Sequence, residues 1–126
     1  MIKGMGSANY GQIWLDIETN PSSGCSWSGY SAASNCAYVT ELVNAVRTAG
    51  RSVGIYSSYY MWEDIMGSAQ ACTTHGVNGV PIWYAHYDGN PSFGDFKTFG
   101  GFKKPGMKQF KGDTTLCGVD VDNSFY

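Results

Sequence analysis

The chain has 126 residues, a formal net charge of −2 and only 14% charged side chains, which is about half the usual fraction of roughly 25%. Aromatic residues make up 15% of it, including nine Tyr and four Trp. This composition excludes a disordered tail and a polyanion-binding protein, and no apolar run reaches the roughly 20 residues that span a bilayer. We therefore expect one domain over residues 1–126, without nucleic-acid or membrane partners, whose aromatic surface suits neutral ligands such as sugars.

Strand and helix patterns alternate in the first half of the chain. Apolar side chains alternate in the QIWLDIE segment, which predicts a strand. The predicted elements are a strand over 12–18, a loop over 20–34, a helix capped by Ser34 or Asn35 and ended by Gly50, a strand over 52–57 and a short helix over 58–69. Such alternation predicts a parallel sheet built from βα units.

The second half of the chain reads as strands joined by loops. The predicted elements are a strand over 80–86, a Gly/Phe/Pro-rich excursion over 88–104, and strands over 106–110 and 118–125. Together the two halves predict an α/β fold of about five strands, with helices only between the early strands.

Four cysteines are present, at Cys25, Cys36, Cys72 and Cys117. They contain no CxxC pair, so a zinc site is not expected, and their even number favours disulfides and an oxidising compartment. All three pairings stay open, although Cys25–Cys36 would close a short loop and leave Cys72–Cys117 to join distant segments. The first ten residues lack the apolar core of a signal peptide, so we expect a signal removed upstream or a longer parent chain.

The strongest candidate for chemistry is the pair Asp16 and Glu18 in a hydrophobic strand. An i, i+2 spacing places both carboxylates on one face, with Cβ atoms about 6.5–7 Å apart. Two such acids compete for ionisation, which favours a protonated general acid beside an ionised stabiliser, as in glycoside hydrolysis. The alternative is a solvated or ion-paired couple at the end of a strand.

A second acidic pair, Asp120 and Asp122, lies on the last predicted strand. Acids at the carboxyl ends of parallel strands converge on one pocket, so this pair can join the first. The alternatives are a solvated terminal strand or a cation site with Asn123, but the run is too short for a calcium loop and no metal or other cofactor is expected. No nucleophile motif accompanies His75 and His86, which we interpret as structural or ligand-lining.

Aromatic and basic side chains complete the candidates. Part of the aromatic set must be core, and the members that share a face with the acids would form a sugar-stacking wall. The aromatic set is Tyr56, Trp83, Tyr84 and Tyr87. A sparse basic group, Lys103, Lys104, Lys108 and Lys111, is interpreted as a solvated face.

Five segments in order resemble one known family over nearly the whole chain. These segments are WLDIE at 14–18, VGIYSS at 53–58, PIWYAHYDGNPSF at 81–93, KQFKGDTTLCG at 108–118 and VDNSFY at 121–126. They resemble glycoside hydrolase family 25, the Chalaropsis-type lysozymes, and look closest to its short protist and invertebrate forms.

The resemblance implies a peptidoglycan hydrolase. It implies an N-acetylmuramidase that cleaves the β-1,4 bond between N-acetylmuramic acid and N-acetylglucosamine with retention of configuration, without a cofactor, in a secreted or lysosomal/phagosomal location. Glu18 would be the general acid, Asp16 would orient or stabilise, and Asp122 matches the C-terminal family aspartate better than Asp120. A direct covalent route and a substrate-assisted route both stay open.

The resemblance also implies a sugar groove in an irregular barrel of eight strands. Groove positions correspond to Tyr56, Trp83, Tyr84, Gln109 and Asp120. The chain corresponds to the C-terminal part of that barrel, so an incomplete barrel with an open sheet edge is expected, and a homo-oligomer would cover this edge. The alternative functions are an inactive glycan-binding module and a self-assembling structural protein.

Overall fold

Seven regular elements form the chain as the structure, a computed structural model, describes it: residues 10–126 apart from 21, 23 and 78. They are β1 (Ile13–Asp16), α1 (Ala32–Thr48), β2 (Val53–Ser57), α2 (Tyr59–Met66), β3 (Ile82–Ala85), β4 (Pro105–Leu116) and β5 (Val119–Phe125). Residues 1–9, which lack a signal-peptide pattern, lie outside the described residues. No helix in the described part is long and apolar enough to cross a membrane.

The five strands form one sheet in the order β1-β2-β3-β4-β5. The first four strands are parallel, and β5 runs antiparallel to β4. The sheet curls into half of a barrel with two helices. This confirms the predicted α/β class and the incomplete barrel.

The two faces of the sheet differ in character because neighbouring strand residues point to opposite sides. One face packs on the helices, where Ile55 and Ile82 meet Val39 and Val43 of α1 in a buried core. The opposite face, called here the aromatic face, carries Trp14, Asp16, Tyr56, Trp83 and Gln109. Strand pairing places Asp16 beside Tyr56 and Tyr56 beside Trp83, so these three side chains lie next to one another near the carboxyl ends of β1, β2 and β3.

The start of α1 differs from the prediction. Its N-cap is Ser31, whose Oγ accepts a hydrogen bond from the Ser34 backbone N–H at 3.1 Å. Ser34 and Asn35 therefore lie inside the helix, and Asn35 is buried and donates through Nδ2 to the Ile65 carbonyl at 2.8 Å. Several Ser residues in this stretch can cap, and tertiary packing of Asn35 selects among them.

The hairpin of β4 and β5 is longer than the predicted strand over 106–110. The polar run after Phe110 lacks apolar alternation, so it resembles a loop in sequence, yet it pairs with β5 up to Leu116. Cys117 and Gly118 form the turn with φ of 52° and 79°. Two consecutive positive φ values are typical of the two-residue turns that match the twist of a hairpin.

One disulfide joins Cys36 of α1 to Cys72, with a Cα–Cα distance of 5.3 Å. Cys25 and Cys117 are free and exposed. The pairs Cys25–Cys36 and Cys72–Cys117 are therefore not formed, and the expectation of four bridged cysteines is corrected. The physical reason is burial, since Cys36 and Cys72 both lie in the hydrophobic core.

Candidate active site

The carboxylates of Asp16 and Glu18 lie at the carboxyl end of β1. Between them, Ile17 points into the core, and its backbone N–H donates to the Tyr56 carbonyl at 2.9 Å. The backbone therefore stays extended past the last residue of β1. Because extended side chains alternate, both carboxylates leave the strand on the side opposite Ile17, as the i, i+2 spacing predicts.

The environment of these carboxylates favours a proton on Glu18. Burial raises the pKa of Asp16. Burial, followed by the negative charge of Asp16, also raises the pKa of Glu18, while a hydrogen bond with the Tyr56 hydroxyl opposes the rise. The net pKa of Glu18 is above its usual value, so this side chain retains a proton to higher pH than a free glutamic acid.

A hydrogen-bonded chain connects Tyr56 to Asp122 through a buried amide. The Tyr56 hydroxyl donates to Gln109 Oε1, which also accepts from the Tyr87 hydroxyl at 2.8 Å. Gln109 is only 5% exposed, and its Nε2 donates to Asp122 Oδ2 at 2.7 Å. Both ends of the amide are thus engaged, which fixes its orientation and joins β2, β4 and β5 at the site.

The hydroxyl of Tyr56 stays protonated. Burial raises its pKa most, and the hydrogen bond with Tyr87 and the negative charge of Glu18 add to the rise. Tyr56 is therefore a neutral hydroxyl beside the Glu18 carboxyl.

Aromatic rings form a wall next to the carboxylates. Trp83 packs edge-on against Trp14, with ring centroids 5.7 Å apart, and against Tyr56 at 4.9 Å. Trp14 lies over β2 at Gly54, where a Cβ atom would come within 2.4 Å of the indole ring. The absence of a side chain at Gly54 therefore allows this close approach. Rings beside hydroxyl, amide and carboxylate groups suit a sugar ligand.

The structure brings most of the predicted site residues together and leaves two outside. Asp16, Glu18, Tyr56, Trp83, Gln109 and Asp122 share one surface. Tyr84 is instead buried on the helix side, where its hydroxyl donates to Asp95 Oδ1 at 2.9 Å. Asp120 is exposed towards the hairpin turn and accepts from Thr115 Oγ1 at 3.1 Å. The catalytic and binding roles of all these residues stay predictions.

The sequence placed Tyr87 in the candidate aromatic set but did not reveal its hydrogen bond to Gln109, and it misplaced Lys108. Tyr87 joins the site because the β3–β4 pairing of Ala85 with Gln109 brings the end of β3 alongside the amide. That contact depends on strand register, so no local pattern reveals it. A signal for Lys108 does exist, because it stands one residue from Gln109 on the opposite face of a strand, where a core position is expected.

Lys108 is fully buried and holds two aspartates, so the interpretation of a solvated lysine is wrong at this position. Its Nζ donates to Asp88 Oδ2 and to Asp95 Oδ1, each at 2.8 Å. His86 Nδ1 lies 2.5 Å from Asp95 Oδ2, and the structural or ligand-lining role of this histidine stays a prediction. These four residues are called the Lys108 cluster below. The other lysines of the predicted basic face, Lys103, Lys104 and Lys111, are exposed.

The Lys108 ammonium keeps the two aspartates of the Lys108 cluster ionised. Burial works to raise the pKa of Asp95, but hydrogen bonds from Lys108, His86 and Tyr84 outweigh it and hold that pKa well below its usual value. Ligand atoms of His86, Asp88 and Asp95 lie within 4.8 Å of one another, close enough for a metal ion. The Lys108 ammonium contacts both carboxylates and offsets one of their two negative charges.

Comparisons with known proteins agree with this geometry. Residues 2–110 match the family model described as Lysozyme-like protein 1. The chain is 41% identical over 120 residues to Probable GH family 25 lysozyme 2 of Dictyostelium discoideum, covering 95% of this chain and 51% of that protein. It is 42% identical over 120 residues to Counting factor 50 of the same organism, covering 94% and 36%.

A solved structure shows the same fold. The bacterial lysozyme from Streptomyces coelicolor superposes with a TM-score of 0.66 at 25% identity, covering 89% of this chain and 49% of that chain. The chain therefore spans about half or less of the length of these relatives.

Proposed function

Because the chain belongs to the lysozyme-like proteins of glycoside hydrolase family 25, we propose that it hydrolyses the β-1,4 bond between N-acetylmuramic acid and N-acetylglucosamine in bacterial peptidoglycan. The observation that carries the proposal is geometric: Asp16 and Glu18 leave the carboxyl end of β1 on one side, on the surface that also carries Trp83. Burial and the neighbouring charge of Asp16 raise the pKa of Glu18, which supports the same role. A carboxyl that retains its proton beside a second carboxylate is the arrangement that glycosidic acid catalysis requires.

In the proposed reaction, Glu18 gives its proton to the glycosidic oxygen as the bond to the anomeric carbon breaks. As that bond breaks, a new bond forms at the anomeric carbon, either from an Asp16 carboxylate oxygen or from the carbonyl oxygen of the substrate's own N-acetyl group, which Asp16 then orients and stabilises. Water later displaces this group. Glu18, now ionised, then takes a proton from the water that attacks the same anomeric carbon. Two displacements at that carbon retain its configuration.

The remaining site residues hold the sugar in this proposal. Trp83 and Tyr56 offer aromatic surface and a hydroxyl for stacking and hydrogen bonding. Gln109 accepts the hydrogen bond of the Tyr56 hydroxyl and so fixes its position. Gln109 Nε2 donates to Asp122 Oδ2 at 2.7 Å, which orients that carboxylate. Asp122 then serves as the third acidic group of the site.

Clearing of a suspension of bacterial cell walls tests the proposed reaction. We expect Glu18→Gln to slow clearing by about 100-fold or more, because loss of a general acid removes roughly that factor from the rate. Glu63→Gln is the matched control, since Glu63 is exposed on α2. Equal clearing by wild type and Glu18→Gln would contradict the enzymatic proposal.

The similarity to Counting factor 50, a relative whose name specifies no hydrolase, supports a second candidate function. The aromatic face would then bind glycan without cleaving it. Sedimentation of the protein with insoluble peptidoglycan distinguishes the two candidates. Binding that is lost in Trp83→Ala, together with no clearing by wild type, would favour this second function.

The disulfide and the sheet edge support two further parts of the proposal. A bond between Cys36 and Cys72 fits an oxidising location, such as the extracellular space or the lysosomal/phagosomal lumen.

Strand β1 forms an edge of the described sheet, and pairing with a second copy would satisfy its outer backbone groups. Light scattering after size-exclusion chromatography measures this; a monomer at high concentration contradicts a homo-oligomer.

A further inference from the structure

A cavity of about 640 Å³ is lined at one end by Glu18 and extends away from the aromatic face under the loop that follows β1. Its volume lies within the range of about 300–1,000 Å³ that ligand pockets occupy. A second cavity, of about 370 Å³, adjoins it. The two share five lining residues, Asn20, Ser26, Trp27, Tyr30 and Asn35, so they form one continuous depression, called here the loop cavity.

The walls of the loop cavity are held at a fixed position relative to Glu18. Trp27 donates through Nε1 to the Glu18 carbonyl at 2.7 Å, and its ring packs edge-on against Tyr38 of α1 at 5.9 Å. On the same helix, Asn35 is anchored to the Ile65 carbonyl at 2.8 Å. The backbone of the proposed acid is therefore hydrogen-bonded directly to the cavity wall.

The lining of the loop cavity combines exposed aromatic rings with hydroxyl and amide groups. Tyr30 and Tyr38 are 70% and 52% exposed, so both rings are accessible to a ligand in the loop cavity. Among the described lining residues none is basic, and the ionisable carboxyls are Glu18 and Asp64. An anionic ligand is therefore disfavoured, whereas a neutral sugar with an N-acetyl group satisfies both the rings and the polar groups.

We propose that the loop cavity is an additional glycan subsite, which takes a neutral N-acetylhexosamine residue of the chain whose scissile bond lies at Glu18. The inference rests on the proposed function, because it assumes that a glycan occupies the site at Glu18. It adds a second aromatic contact, formed by Tyr38 and Tyr30, outside the aromatic face. The proposal therefore predicts that long glycans contact both surfaces, whereas a disaccharide held at the aromatic face contacts that face alone.

Calorimetric titration with neutral N-acetylglucosamine oligomers tests the subsite, using Glu18→Gln protein so that the probe stays intact. We expect Tyr38→Ala to weaken hexamer binding by between about twofold and tenfold, the size of an aromatic contact. Dimer binding should not change. Tyr38→Phe keeps the ring and should keep most of the affinity. Tyr126→Ala is the matched control, because Tyr126 is 88% exposed and lies outside the cavity lining.

The outcomes separate this inference from the proposed function. Unchanged hexamer affinity in Tyr38→Ala, with a loss in Trp83→Ala, would overturn the subsite and leave glycan binding at the aromatic face intact. Equal weakening of dimer and hexamer by Tyr38→Ala would also overturn it, because the effect would then not depend on chain length. Absence of hexamer binding to the Glu18→Gln protein overturns the subsite, while cell-wall clearing by wild type still decides the reaction.

Discussion

Neighbouring groups shift the pKa of Glu18 in opposite directions, and single substitutions can remove these effects one at a time. Removing the negative charge in Asp16→Asn should lower the pKa of Glu18, because that charge contributes to the rise. Removing the hydroxyl in Tyr56→Phe should raise it, because the hydrogen bond opposes the rise. The measurement is an NMR titration of ¹³C-labelled Glu carboxyls, which works in inactive variants. The Glu63 signal is the internal control, and shifts of Glu18 in the same direction in both variants would contradict the electrostatic account.

The raised pKa of Glu18 predicts how activity depends on pH. Glu18 must be protonated to act as an acid, so cell-wall clearing should decline as pH rises through its pKa. That decline should lie above the ordinary pKa of a glutamic acid, which is about 4.3. Tyr56→Phe, if active, should move the decline to still higher pH.

Gly54 is a second position at which one added carbon atom would disturb the local packing. A Cβ atom there would come within 2.4 Å of Trp14 and 2.3 Å of Gln12. We expect Gly54→Ala to lower the free energy of unfolding by about 1–3 kcal/mol, as overpacking does, and to displace the Trp14 ring. Urea denaturation measures the first effect. Gly11→Ala is the control, because nothing lies within 4 Å of a Cβ atom there, and equal losses in both would count against this explanation.

At the scale of elements, the ion pairs of the Lys108 cluster connect the segment over 88–104 to β4. The lysine is buried and its two carboxylate partners are about three-quarters buried, with 25% and 23% exposure. Removing one member of such a group leaves uncompensated charge, so Lys108→Met should cost about 3 kcal/mol of unfolding free energy. Lys111→Met is the control on the same strand, because Lys111 is exposed. A cost below that of the control would show that the ion pairs are dispensable.

The unfolding free energy that Lys108→Met loses should depend on pH in a definite direction. The Lys108 ammonium lowers the pKa of Asp88 and, against burial, that of Asp95. Groups with lowered folded pKa values stabilise the fold above the ordinary pKa of about 3.9 and lose this contribution as pH falls through the folded value. The difference in stability between wild type and Lys108→Met should therefore shrink below about pH 4. A difference that stays constant would contradict the assignment.

Elements defined by local pattern were predictable, and those that depend on pairing were not. The alternation in WLDIE predicted that Asp16 and Glu18 share a side, because a strand period of two is a local property. The register in which β3, β4 and β5 pair has no such local signal. The hydrogen bond between Gln109 and Tyr87 and the full length of β4 therefore appeared only in the structure. The cap of α1 moved to Ser31 because the stretch offers several cap residues and packing selects one.

At the scale of the whole molecule, the disulfide compensates for the limited core of an open sheet. It closes a loop of 36 residues between α1 and the segment after α2, which corresponds to about 3–4 kcal/mol of stabilisation in the chain-entropy model. We expect the double variant Cys36→Ala/Cys72→Ala to lose that amount in denaturation experiments under oxidising conditions. Dithiothreitol should destabilise wild type and leave the double variant unchanged.

The free cysteines provide the matched control for this prediction. Cys25 and Cys117 are exposed and unpaired, so Cys25→Ser/Cys117→Ser should retain the stability of wild type. Loss of stability in this variant, with none in Cys36→Ala/Cys72→Ala, would place the stabilising bridge elsewhere.

The edge-to-face contact of Trp14 and Trp83 makes the site optically distinctive. Indole rings with centroids 5.7 Å apart and planes at 73° couple their strongest electronic transitions, which gives a pair of bands of opposite sign in the far-ultraviolet circular dichroism spectrum that a single indole lacks. A sugar that stacks on Trp83 changes the surroundings of this pair, whereas an event at Trp27 does not touch it. The molecule thus carries a built-in reporter that distinguishes occupancy of the aromatic face from occupancy of the loop cavity without any added label.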